Sequence, residues 1–250
     1  MRDINIMDEY GATALHHAAS GGYNHIVQLL LTNGASIKAE GKYNDTPLHF
    51  AAQGGHTSTV ELLLSKGASI EATNHYNYTP LHFAADNGHT SIVELLLSKG
   101  ASIEVTSYNN NTPLHYAAGN GHTSTVELLL SKGASIEVTD KSSGAPVHYA
   151  AFNGHTSTVE LLLSKGASIE VTDKDNYTPL HCAAGNGHTS TVELLLSKGA
   201  SIEATNNDNY TPLQLAKSFG GNTRTVKLLW KHIRNRIWIE SEVMDISTVR

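Results

Sequence analysis

The sequence predicts an all-α repeat array in which short helices pair and stack, and three observations lead there. The stretch from His56 to Glu71, HTSTVELLLSKGASIE, returns unchanged from His122, His155 and His188, and from His89 with Ile92 as its one change. The starts lie 33 residues apart or a multiple of it, and a fixed period of that size marks a repeat architecture. Most copies follow a short motif, Thr-Pro-Leu-His, found at 46–49, 79–82, 112–115 and 178–181. Apolar residues make up 40% of the chain and charged residues 16%, a balance that supports a buried core rather than disorder.

Residues 1–9 read as the tail of a repeat, because Ile4 stands 33 before Ile37, which stands 33 before Ile70. A repeat domain over 10–240 follows, in seven units at about 10–42, 43–75, 76–108, 109–141, 142–174, 175–207 and 208–240. In each unit the Thr of the motif is a helix N-cap, and Pro suits the first helical position, where its missing N–H costs nothing. A short helix such as Pro47 to Gln53 carries the small pair Ala51 and Ala52, and Gly54-Gly55 stops it. The second helix starts near Thr57 and ends near Lys66. Its Val60, Leu62, Leu63 and Leu64 span more than one face, so it must be packed on several sides. Gly67 suits a left-handed C-cap and Lys66 the negative end of the helix dipole. Residues 68–78 then carry an extended segment and a tight turn. Two before the Thr stands Asn44, Asn77, Asn110, Asn176 or Asn209, with Gly11 and Ser143 in the remaining units. Asn and Gly tolerate a positive φ. Those five Asn are also Asn-x-Thr sequons, which the turn itself explains.

The 33-residue unit, the Thr-Pro-Leu-His start, Ala-Ala, Gly-His and Leu-Leu-Leu-x-x-Gly-Ala together resemble the ankyrin repeat, in phase from residue 10 to about 230. The resemblance implies a solenoid of stacked antiparallel helix pairs with projecting β-hairpin loops. It also implies binding of another protein on a concave face of loop tips and first helices. Two units depart from the pattern. The fifth has Ala145 for the capping Thr, which predicts a soft point unless Ser142 or Ser143 caps instead. The seventh has Gln214 for His, Lys217 for Ala and one inserted residue around Ser218–Asn222, as suits the polar outer face of a terminal cap. In the last helix Val226, Leu229, Trp230, Ile233 and Ile237 fall at helical spacing beside Arg224, Lys227, Lys231, Arg234 and Arg236. Such a helix can address calmodulin-like or membrane partners, but capping the stack is the plainer reading. Residues 241–250 read as a flexible tail.

The histidines invite a chemical reading, yet six of the 15 belong to the opening motif and five to the Gly-His turn. Side chains repeated at the 8–10 Å spacing of packed helices do not converge on an ion whose ligands sit at about 2 Å. Hydrogen bonds to caps and loops are expected instead, with no metal and no cofactor. No nucleophile, base and acid form a catalytic set, so the expectation is a non-enzymatic scaffold. Cys182 replaces Phe50, Phe83, Tyr116 and Tyr149 of other units and reads as a packing residue. The Glu row 71, 104, 137, 170 and 203 reads as a solvated face.

Residues that vary against the fixed frame carry the partner. Seven of the ten Tyr lie at or next to the turn tips, and Tyr among polar residues makes a paratope-like surface. The candidate set is Tyr43, Tyr76, Tyr78, Asp86, Tyr108, Asn111, Phe152, Asp175, Tyr177 and Tyr210. A net charge of -6 argues against nucleic acid. One cysteine allows no internal disulfide and suits a reducing compartment. No run is long enough to span a membrane. A cytoplasmic monomer is expected, or one in a host cytosol if the chain belongs to an effector. The alternative is a targeting or substrate-recruiting segment of a larger multidomain enzyme or secreted effector.

Overall fold

The computed structural model describes residues 3–218 and 223–247, with side chains as far as Arg236 in the last helix. The chain divides into two compact units, 1–141 and 142–250. Fourteen helices are present among the described residues.

The first unit holds four helix pairs: α1 Ala14–Ser20 with α2 Asn24–Thr32, α3 Pro47–Gln53 with α4 Thr57–Ser65, α5 Pro80–Asp86 with α6 Thr90–Ser98, and α7 Pro113–Gly119 with α8 Thr123–Ser131. The odd helices pack in the row α1, α3, α5, α7, and the even helices in the row α2, α4, α6, α8. Alanine lets the odd row approach closely: Ala51, Ala52, Ala84, Ala85, Ala117 and Ala118 are fully buried. The core of the even row is Val60, Leu63, Val93, Leu96, Val126 and Leu129, also fully buried. Truncating one such leucine costs about 2–5 kcal/mol.

The second unit repeats the plan with α9 Pro146–Phe152, α10 Thr156–Ser164, α11 Pro179–Gly185, α12 Thr189–Ser197, α13 Pro212–Ser218 and α14 Thr223–Ser247. Helix α14 closes this unit. It packs on α12 and α13, buries Thr225 and Leu229, and joins Thr225 Oγ1 to Thr189 Oγ1 at 2.7 Å. It runs helical to Ser247, into the stretch expected to be a tail. Trp230 lies 44% exposed with the Lys217 ammonium 4.8 Å from its ring. The expectations for Ile237 and for the insertion at 219–222 lie outside the described side chains.

Local chemistry explains the boundaries. The first-helix N-caps are Thr, with Ala145 in the fifth repeat, and Pro follows at the first helical position from α3 to α11. Gly67, Gly100, Gly133, Gly166 and Gly199 end the second helices at φ 91–102. There the next amide reaches back to the helix, as Ala68 N–H does to Leu63 O at 3.0 Å, the pattern of a left-handed C-cap. The turn position takes φ near +60° at Asn44, Asn77, Asn110, Ser143, Asn176 and Asn209, as the turn chemistry predicts. The loops project as tight turns rather than paired strands. One isolated bridge, Met7 to Thr13, is found among the described residues. Neighbouring turns are joined instead by backbone bonds such as His75 N–H to Tyr43 O at 2.8 Å and Tyr108 N–H to Tyr76 O at 2.8 Å.

Candidate functional site

The motif histidines build the floor under the turns. Backbone N–H of Thr46 donates to His49 Nδ1 at 3.0 Å, and the same bond recurs at Thr13–His16, Thr79–His82, Thr112–His115 and Thr178–His181. An amide N–H only donates, so Nδ1 is the acceptor and the proton sits on Nε2. That Nε2–H then donates to a carbonyl 29 residues on: Asp45, Tyr78 and Asn111 in the first unit, Tyr177 and Tyr210 in the second. The motif thus couples a helix cap to the next turn. Burial holds His16, His49, His148 and His181 below the usual histidine range and pushes His82 down to about 4. The Gly-His histidines work similarly at the other end of the first helices. Nε2 of His56, His89, His122 and His188 meets the carbonyls of Ser20, Gln53, Asp86 and Phe152 at 2.8–2.9 Å.

Threonine caps less directly than expected. The hydroxyls of Thr13, Thr46, Thr79, Thr112 and Thr178 lie 2.9–3.0 Å from the histidine Nδ1. The backbone bond to Thr Oγ1 is long where it forms, 3.4 Å at Thr178. In the fifth repeat Ala145 N–H still reaches His148 Nδ1 at 3.1 Å, so the histidine keeps the box closed without the hydroxyl.

Within each turn a second column of residues does work that no sequence pattern had singled out. Asn74 Oδ1 accepts from the N–H groups of Tyr76 and Tyr78 at 2.9 and 3.0 Å. Asp8, Asp173 and Asn206 do the same in their own turns. The signal was present as a short polar residue on the 33-residue period, at 8, 74, 107, 140, 173 and 206, with Gly41 as the one exception. The glutamate row also does more than solvate: carboxylates of Glu71, Glu104 and Glu170 accept from the amides of Ser102, Ser135 and Ser201 at 2.7 Å.

On this frame the candidate rings separate into two sets. Tyr43, Tyr76 and Tyr108 stand out from the first unit at 47%, 51% and 65% exposure. The Tyr43 and Tyr76 rings lie 6.0 Å apart, and Lys42 and Lys141 ammoniums sit 5.7 and 4.0 Å from the rings of Tyr43 and Tyr108. Tyr78 turns inward, half-buried, and its ring meets those of His82, Phe83 and Tyr116. Burial, then the bond to the Tyr116 hydroxyl, raises its phenol above the usual tyrosine range. Asp86 is half-buried at the end of α5. Asn111, expected at the surface with these, is buried instead, because its backbone N–H bonds Ser107 Oγ and its carbonyl takes the His82 bond. In the second unit Phe152 and Tyr210 are exposed large apolar residues and Asp175 is exposed, while Tyr177 is half-buried against His181 at 5.8 Å. Burial pushes the Cys182 thiol up to about 12, as suits a packing residue. Among the described residues no group of His, Cys, Asp or Glu is placed to hold a metal ion, and no helix is long and apolar enough to cross a membrane.

Paired helices, capped helix starts and a histidine that ties one repeat to the next define a repeat protein, and the family comparison agrees. The ankyrin-repeat family model matches residues 1–74, 70–140 and 147–239, and a second ankyrin-repeat model matches 120–163. The chain belongs to the ankyrin-repeat family. It is similar to the crystal structure of the human ASB11 ankyrin repeat domain, with a TM-score of 0.77 and 28% identity over 87% of this chain and 98% of that one. No curated protein matches the chain.

Proposed function

We propose that this chain is a non-enzymatic scaffold that binds another protein on the face made by its turn tips and first helices. Ankyrin repeats in general mediate protein–protein interaction, and no set of residues described above combines nucleophile, base and acid. The observation that carries the choice of face is the row Tyr43, Tyr76 and Tyr108, three exposed rings on turns held by backbone bonds to one another. Tyrosine supplies large contact area at low entropic cost, and a rigid turn lowers that cost further. Phe152, Asp175 and Tyr210 offer the same kind of contact in the second unit.

The test replaces Tyr43, Tyr76 and Tyr108 together with serine. Partners are captured from cytosol by the original and by the variant, after thermal melts show equal folding. A partner held by the original and lost by the variant is expected. Equal capture by both would place the interaction elsewhere and overturn the face assignment.

A further inference from the structure

We propose that the cavity between α5 and α7 receives a basic side chain, lysine or arginine, of the protein partner, with Asp86 as its counter-charge. This rests on the binding function proposed above and adds the chemistry of one contact. The cavity measures about 120 Å³ and is lined by Tyr78, His82, Phe83, Asp86 and Tyr116. Pockets for drug-sized ligands run to roughly 300–1,000 Å³, so this one suits the end of a single side chain.

Its walls are aromatic and steeply inclined to one another. Tyr78 and Tyr116 cross at 73° with centroids 5.3 Å apart, and Tyr78 and Phe83 at 82° and 5.9 Å. The Tyr116 hydroxyl lies 2.9 Å from that of Tyr78 and 3.2 Å from Ser107 Oγ, which fixes both rings. Ring systems attract a cation placed against them, more so where water is excluded. No lysine or arginine is among the lining residues. His82 adds no positive charge near neutral pH: its Nδ1 is committed as an acceptor to Thr79 N–H, and burial holds its titration at about 4. Asp86 is the one acidic side chain on the wall. Its Oδ1 accepts from Asn120 Nδ2 at 2.8 Å and its carbonyl from His122 Nε2 at 2.9 Å, so the carboxylate is held in place before any ligand arrives.

The array makes this combination once. The positions equivalent to Tyr78, Phe83 and Asp86 are Asp45, Phe50 and Gln53 in the second repeat, and Asn111, Tyr116 and Gly119 in the fourth. In the sixth they are Tyr177, Cys182 and Gly185. Ring, ring and acid coincide only in the third repeat, with Tyr116 of the fourth closing the cavity.

The experiment labels the tyrosine rings with carbon-13 and assigns Tyr78 and Tyr116 through Tyr78→Phe and Tyr116→Phe. Nα-acetyl-arginine amide and Nα-acetyl-lysine amide are titrated in, with Nα-acetyl-norleucine amide as the uncharged control. Saturable shifts confined to Tyr78 and Tyr116 are expected with the basic amides and not with norleucine. Asp86→Asn, which keeps an oxygen for Asn120, should weaken binding about fivefold, the worth of a partly exposed ion pair. Tyr116→Leu should abolish it while Tyr116→Phe retains it. No saturable shift, or an equal response to norleucine, overturns the proposal. In parallel, random peptides displayed on phage are selected on the whole protein. Selected peptides should carry a Lys or Arg whose replacement by norleucine weakens binding. Peptides that bind without one overturn the cavity assignment and leave the scaffold function standing. Selection of no peptide counts against the scaffold function, and the amide titration then decides the cavity on its own.

Discussion

His49 Nε2 donates to the carbonyl of Tyr78 at 3.0 Å, across 29 residues of sequence. The same ring accepts from Thr46 N–H through Nδ1. One buried side chain therefore ties the start of α3 to the turn of the following repeat.

Replacing His49 with Ala strands a buried N–H and a carbonyl together. A loss on the order of 3 kcal/mol is expected in urea denaturation, since each buried unsatisfied group costs about 1–3 kcal/mol. Thr46→Ala should cost less, about 1 kcal/mol, because the ring keeps its backbone bond. By the same reasoning Ala145→Thr should gain under about 1 kcal/mol, and His148→Ala should lose more than that. Equal effects of the histidine and threonine changes would refute the division of labour.

Acid should weaken the fold. An unfolded histidine takes up a proton below about 6.5, whereas His82 in the folded chain does so only near 4. Between those values the unfolded state binds more protons, so stability is fully present above about 6.5 and is lost as pH falls toward 4. His16, His49, His148 and His181 are lowered in the same direction by burial. His82 alone contributes on the order of 3 kcal/mol over this window. Urea midpoints at pH 7 and 5 should show the drop, and His82→Gln should reduce it. Glutamine already serves this way in the seventh repeat, where Gln214 Oε1 accepts from Thr211 N–H at 2.7 Å. A pH-independent midpoint would contradict the neutral-ring assignment.

Ser143 holds φ 60 where five other repeats use Asn and the first uses Gly. Serine gains little from a left-handed backbone, so Ser143→Gly should raise stability by about 0.4–1 kcal/mol. The same change at a position of ordinary φ would lower it. A fall in melting temperature would show that the serine hydroxyl earns its place.

Asn206 carries a buried Nδ2 with no hydrogen-bond partner, although its Oδ1 is fully engaged by the amides of Asp208 and Tyr210. In the repeat before it, Asp173 does the same work without an amide group. Asn206→Asp should therefore stabilise by about 1 kcal/mol at neutral pH, read as a shift in thermal midpoint. Destabilisation would mean that burying the carboxylate outweighs removing the orphan donor.

Much of the fold could be read along the chain because it is local. Pro47 and Gln53 bound α3 as expected, Gly67 sits at positive φ, and the Asn column takes the left-handed turn. Those features depend on a residue and its near neighbours, and the period of 33 repeats them. The rings of Phe50, Phe83 and Tyr116 follow the same period: each meets the histidine one repeat back, at 5.3–5.7 Å.

The candidate site was legible only in part. Tyr76 and Tyr78 look alike in the sequence, two residues apart in one turn, yet Tyr76 is exposed and Tyr78 joins the wall of a cavity. Asn111 looks like a surface residue and is buried. Which way a turn residue faces depends on what the next repeat places beside it, here Tyr116 and the His82 ring, and that is a contact at a separation of 29 to 38 residues. The sequence by itself determined the period, the caps, the turns and hence the family. Only the tertiary structure decided which tyrosines face solvent, that the histidines carry their proton on Nε2, and that one acid lies among four rings. Local geometry follows from local chemistry, but exposure and pairing exist only once neighbouring repeats stack.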